Sequence, residues 1–125
     1  MRNPGNRAVL AVMVLSGLLL ATFAVSHHGW GWLNEDEFSI TGEVVFVRLG
    51  NPHGEITIDA DGVQWIVELG QPWRNREAGL TMAHLPEGKV ITAQGHRSRA
   101  EGHHRMMAER LIIDGRNFDL FPDRL

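Results

Sequence analysis

Hydrophobic and polar positions alternate through most of the chain beyond residue 37, the period expected of strands with one face on a core. Residues 38–49, FSITGEVVFVRL, are rich in β-branched and aromatic side chains. Asn51-Pro52-His53-Gly54 then reverses the chain into Glu55–Asp59, where Ile56 and Ile58 alternate with polar neighbours. Asp61-Gly62 turns it again. In VQWIVEL, 63–69, Val63, Trp65, Val67 and Leu69 fall on one face while Gln64 and Glu68 fall on the other, so the region predicts a three-stranded meander. Gln71-Pro72-Trp73-Arg74-Asn75 interrupts this pattern, and Arg76–Leu85 predicts a short helix that Pro86-Glu87-Gly88 stops. Strand character returns over 89–97. After the polar segment Ser98–His104, the run RMMAERLIID, 105–114, alternates like a strand, although its alanine, methionine and glutamate are good helix formers and keep helix in competition. Asp114-Gly115 ends it, and Phe118, Leu120 and Phe121 are placed to close the core.

Three strands, a short helix and two or three further strands predict a mainly β fold. The layout is that of a small, partly open barrel of the oligonucleotide/oligosaccharide-binding (OB) type, with a β-sandwich or roll as the alternative. Upstream, residues 8–25, AVLAVMVLSGLLLATFAV, carry no charge, follow a basic start at Arg2 and Arg7, and exit through the small residues of Ala24-Val25-Ser26. That is the layout of an export signal over 1–26, whose cleavage makes His27 the new N-terminus. A retained inner-membrane helix competes with it, because a span of this length makes roughly 27 Å of helix, near the lower limit for crossing a bilayer. The expected organisation is a signal at 1–26, a His/Trp segment at 27–37 and one small β domain at 38–125, located in the periplasm or held at the inner membrane.

At Ser26–Trp32, Asn51–Gly54, Val67–Arg76 and Gly95–Leu120 the chain resembles a family of small exported proteobacterial proteins known as domain of unknown function 6152. The stretches that carry the resemblance are HHGWGW, VRLGNPHGE, VELGQPWRNREAGL, GHRS and MMAERLIIDGRNFDLFPDR. It implies an exported module and assigns no reaction, cofactor or catalytic residue.

Charge and composition narrow the chemistry. All fifteen acidic residues but only ten of the twelve basic ones lie beyond residue 26, a net charge of −5 that disfavours a nucleic acid or an anionic membrane surface as partner. With no cysteine, disulfides, thiol catalysis and thiolate metal sites are excluded, leaving histidine, carboxylate and methionine as metal ligands. All seven histidines lie at or beyond residue 27: His27, His28, His53, His84, His96, His103 and His104. A freed His27 offers its amine and a ring nitrogen, so a copper site, or one for another transition metal, is drawn from His27 and His28 with His53 or His96. Competing with this, His53 belongs to a turn, His96 to a strand end, His84 to the expected helix, and the His103-His104 pair to an exposed loop that offers at most accessory contacts. Met106 and Met107 would face opposite sides of a strand, as packing residues rather than a joint copper(I) site.

Trp65 fits the core face, whereas Trp30, Trp32 and Trp73 are candidates for contact with a protein or small ligand. No nucleophile elbow, HExxH segment, phosphate loop or dinucleotide fingerprint occurs, which argues against a conventional enzyme. Two functions remain: an exported β-domain that binds copper or another transition metal through histidines, and an interaction module that contacts a periplasmic protein or small ligand without metal.

Overall fold

The structure is a computed structural model, and it describes residues 29–125. The chain divides into two units, residues 1–31 and 32–125. The expected signal or anchor helix, together with His27 and His28, lies outside the described residues. Within the described residues no helix is long and apolar enough to cross a membrane.

Residues 32–125 contain six strands: β1 (Phe38–Arg48), β2 (Glu55–Ala60), β3 (Val63–Glu68), β4 (Val90–Arg97), β5 (Arg105–Ile113) and β6 (Arg116–Asp119). The meander β1-β2-β3 is antiparallel throughout, as its alternation predicts. β4 pairs antiparallel with the first half of β1, and β5 with β4. The N-terminal end of β5 then pairs in parallel with β3, Ile66 opposite Arg105 and Glu68 opposite Met107. Five strands therefore close into a barrel, and β6 adds to the other half of the same β5 edge. The partly open barrel expected from sequence is corrected to a closed one. Its closing seam joins residues about forty positions apart in the chain, and no local pattern encodes such a pairing.

The 105–114 run is a strand because alternation outweighs helix propensity once each face has its partner. Met106, Ala108, Leu111 and Ile113 point into the core, while Met107 turns outward. Ile56, Ile58, Val67, Ile91, Ala93, Phe118 and Leu120 complete a continuous interior. Val63, expected on the buried face, is exposed at the strand's first position, where the β2–β3 turn carries it past the end of the core.

Two glycines shape the wall. A Cβ on Gly42 would stand 2.5 Å from the Asp59 carbonyl oxygen, so β1 bends closely over β2 there. A Cβ on Gly95 would coincide with the Met107 carbonyl, at the bulge where β4 shifts register against β5.

The helix expected over 76–85 is also corrected: α1 is Pro72–Glu77. Gln71 is extended, as a residue before proline must be, and Pro72 opens the helix where its missing N–H costs nothing. Gly79, at φ +80°, ends it. The rest of the expected span is a turn and a short 3-10 segment, Met82–His84, in which the Thr81 N–H donates to His84 Nδ1. The His84 ring packs on Phe118 at 4.9 Å, a structural position.

Candidate functional site

The outer face of β1-β2-β3 is built from three cross-strand rows. In strand register the middle row is Phe46–Thr57–Ile66–Arg105. On one side runs Arg48–Glu55–Glu68–Met107, and on the other Glu43–Asp59–Gln64. At strand spacing the middle row is roughly 15 Å long and its neighbours lie about 7 Å away. Phe46 is 59% exposed, beside a bulge at Val45 that locally breaks the β1–β2 register.

Arg105 ties the closing seam to this face. Its Nε donates to Glu68 Oε1 at 2.9 Å and its Nη2 to Glu55 Oε2 at 3.3 Å, so one guanidinium serves two carboxylates. Arg48 turns aside, Nη1 donating to the Asn51 carbonyl at 3.0 Å. Asp59 accepts the Gly62 N–H and caps the β2–β3 turn, while Glu43 stands exposed. Four carboxylates against two guanidinium groups make the face acidic around a largely uncharged centre.

Two loops frame it. The β1–β2 loop, with a cis Asn51–Pro52 bond, meets the β3–α1 elbow: the Gly54 N–H donates to Gly70 O at 2.9 Å, and the Leu69 N–H to Gly54 O at 2.8 Å. Asn75, 2% exposed, sits under this junction with Nδ2 donating to Gly70 O at 2.9 Å. A Cβ on Gly54 would lie 2.9 Å from Asn75 Nδ2, and one on Gly70 would lie 3.1 Å from Asn75 Oδ1, so the carboxamide fills the space that two side-chain-free residues leave. The Asn-Pro-His-Gly and Pro-Trp-Arg-Asn segments, which start 21 residues apart, thus form one structure.

The second frame is the β4–β5 loop, whose His104 carbonyl accepts from the Ile66 N–H at 3.0 Å. The His104 ring lies 5.1 Å from that of Trp65. Trp65, 7% exposed, stacks on Phe38 at 5.1 Å, and the Arg97 guanidinium covers both rings. Trp65 is a core residue, as expected.

The remaining candidates scatter. His53, half-buried in the β1–β2 loop, points Nδ1 at the Gly54 carbonyl at 3.1 Å; a carbonyl only accepts, so Nδ1 is the donor in this contact. His96 lies on β4 with Nδ1 3.0 Å from the Asp36 carbonyl and Nε2 3.2 Å from Glu109 Oε1. Both of its nitrogens face oxygen acceptors, and a metal would have to displace one of them. His53 and His96 also adjoin opposite ends of β1, since Arg48 pairs with Glu55 and Phe38 with Gly95. Along the strand these ends are on the order of 30 Å apart. Among the described residues no group of three histidine or acidic side chains could hold a metal. His103 is exposed on its loop, Trp32 accepts the Arg99 N–H through its carbonyl, and Trp30 belongs to the other unit. Trp73 is 48% exposed on α1, its indole N–H donating to Gln71 Oε1 at 2.8 Å. Arg74 is sandwiched between Trp73 and Phe121 at 4.6 and 4.7 Å, anchoring the C-terminal segment.

Sequence reasoning missed Phe46, Arg105 with its two glutamates, and Asn75. Only Glu68, placed on the outer face by alternation, gave a local signal.

Closed strand order, the parallel β3–β5 seam and a helix between β3 and β4 define the class: an OB-like barrel with one added strand. The chain belongs to the family of unknown function DUF6152, whose model matches residues 15–107. No curated protein matches it. Among solved structures it is similar to a crystal structure of the ZRD-deleted mutant of TiaS in complex with agmatine, at a TM-score of 0.48 and 15% identity over 64% of this chain and 21% of that one. It is also similar to a complex of TiaS with an isoleucine tRNA, AMPCPP and agmatine, at a TM-score of 0.47 and 15% identity over 64% of this chain and 19% of that one. The chain thus spans about a fifth of the length of these proteins.

Proposed function

We propose that this protein is an exported, non-catalytic interaction module whose contact surface is the outer face of β1-β2-β3. The observation that supports this reading is the middle row, where an exposed phenylalanine leads across Thr57 and Ile66 between two loops held in place by backbone hydrogen bonds. OB barrels engage ligands on this face and its bordering loops. The surrounding carboxylates turn it away from nucleic acid. Residues 1–26 serve as the export signal.

A metal reading rests on one posture. Nδ1 of His53 is turned to a backbone carbonyl, the kind of contact that commonly orients an imidazole ligating through its other nitrogen, Nε2. In this reading His27 and His28 supply the other nitrogens for copper, and His96 stays with Glu109.

One titration separates the two. Amide spectra of the processed, untagged protein are recorded with copper(II), a basic peptide, an acidic peptide and a neutral oligosaccharide. Shifts confined to residues 43–46, 57–59 and 64–66 with any metal-free probe support the interaction module. Saturable copper broadening around His53, with no probe perturbing the face, moves the assignment to metal.

A further inference from the structure

We propose that the occupant of the β1-β2-β3 face is an extended, basic protein segment that lays an apolar side chain against Phe46 and Ile66 and directs a lysine or arginine at Glu43 and Asp59. The inference rests on the interaction-module reading and adds the chemistry of the partner.

Charge decides the occupant. On the row containing Glu55 and Glu68, both carboxylates bond one guanidinium, that of Arg105, while Arg48, opposite Glu55 in register, donates to the Asn51 carbonyl. The row containing Glu43 and Asp59 has no such match, because its third member is Gln64 and the Glu43 position pairs across to Val90, itself 56% exposed. Among the described residues, the carboxylates of the Glu43 border are the ones on this face that no guanidinium bonds, and they lie next to the exposed apolar residues Phe46, Val45 and Val90. A ligand complementary to it is amphipathic, with positive charge on one side and an apolar side chain on the other. A strand presents side chains to one face at about 7 Å intervals, close to the separation of the two rows.

An anionic ligand is repelled by the Glu43 border, and a neutral one leaves it unpaired. A second copy of this chain would have to bring a basic surface of its own, and self-association is an outcome of the test. Electrostatic complementarity of this kind fixes partner choice and encounter rate more than affinity, so the interaction should weaken with salt.

The test uses the processed protein and an octapeptide alternating lysine and valine, with the glutamate-valine counterpart and a neutral oligosaccharide as controls. Expected results are saturable amide shifts at 43–46, 57–59 and 64–66 with the lysine peptide alone. Kd should rise about tenfold in Glu43→Lys combined with Phe46→Ser, while Arg116→Glu on β6, which pairs with β5 and has no register partner on this face, leaves it unchanged. Glu43→Gln, which keeps the side-chain volume, should give a smaller rise and guards against misfolding of the double variant. If the acidic peptide or the oligosaccharide shifts the face and the lysine peptide does not, the basic occupant is overturned and the interaction face stands. If none of the three shifts it, both fall. Loss of binding sites through concentration-dependent dimerisation would replace the basic segment with a second copy.

Discussion

Nε2 of His96 lies 3.2 Å from Oε1 of Glu109, and Arg124 Nε reaches the same oxygen at 3.0 Å, so one buried carboxylate oxygen joins β4, β5 and the C-terminal turn. The backbone repeats this link: Glu109 O accepts the N–H groups of Leu120 and Phe121 at 2.9 and 3.2 Å. Glu109 is 6% exposed, and its removal takes away the buried acceptor that His96 Nε2 and Arg124 Nε share. Glu109→Ala should cost about 2 kcal/mol in denaturant unfolding. His96→Ala should also destabilise, and the loss in the double variant should be smaller than the sum of the two single losses. Additive losses would show that the contact carries no coupling.

Asn75→Ala removes the donor to Gly70 and empties the space under Gly54. A loss of about 1–3 kcal/mol is expected, together with faster amide exchange at Gly54 and Leu69, whose N–H groups close the loop junction. Unchanged exchange there would mean that the junction stands without the carboxamide.

Trp65 and Phe46 should separate cleanly. Replacing Trp65 with alanine opens the core and should cost about 3–5 kcal/mol. Phe46→Ser, at a residue 59% exposed, should stay within about 0.5 kcal/mol of the parent. Chemical denaturation of both variants checks the pair, and a large loss for Phe46→Ser would place it in the packing rather than on a contact surface.

Processing is tested by intact mass. The exported product should begin at His27, with cleavage after Ala24 as the nearest competitor, whereas recovery of only the full chain in the inner membrane would establish a retained anchor. If the copper reading holds, the processed protein should bind copper(II) more tightly than zinc(II), and one extra residue before His27 or His53→Ala should abolish the site. His84→Ala should leave it intact. Calorimetric titration of these variants gives the answer.

By itself the sequence determined what depends on neighbours within a few residues. Two-residue alternation set the strands and put Trp65, Val67 and Leu69 inside, and Asn51-Pro52 and Asp61-Gly62 set the turns between them. Proline and glycine also mark where a helix must start and stop, yet its extent is not legible from them, because Pro72 reads as a break in the pattern when it is the first helical residue. Only the tertiary structure decided closure, since the parallel pairing of Ile66 with Arg105 depends on how a whole barrel curls rather than on either segment. That same seam brings Arg105 to Glu55 and Glu68, and barrel geometry puts His53 and His96 at opposite ends of β1. The type of His96 is written in the chain, but its partners Asp36 and Glu109 are not: they come from segments distant in sequence, and that hydrogen-bond geometry can be read only after those segments have met.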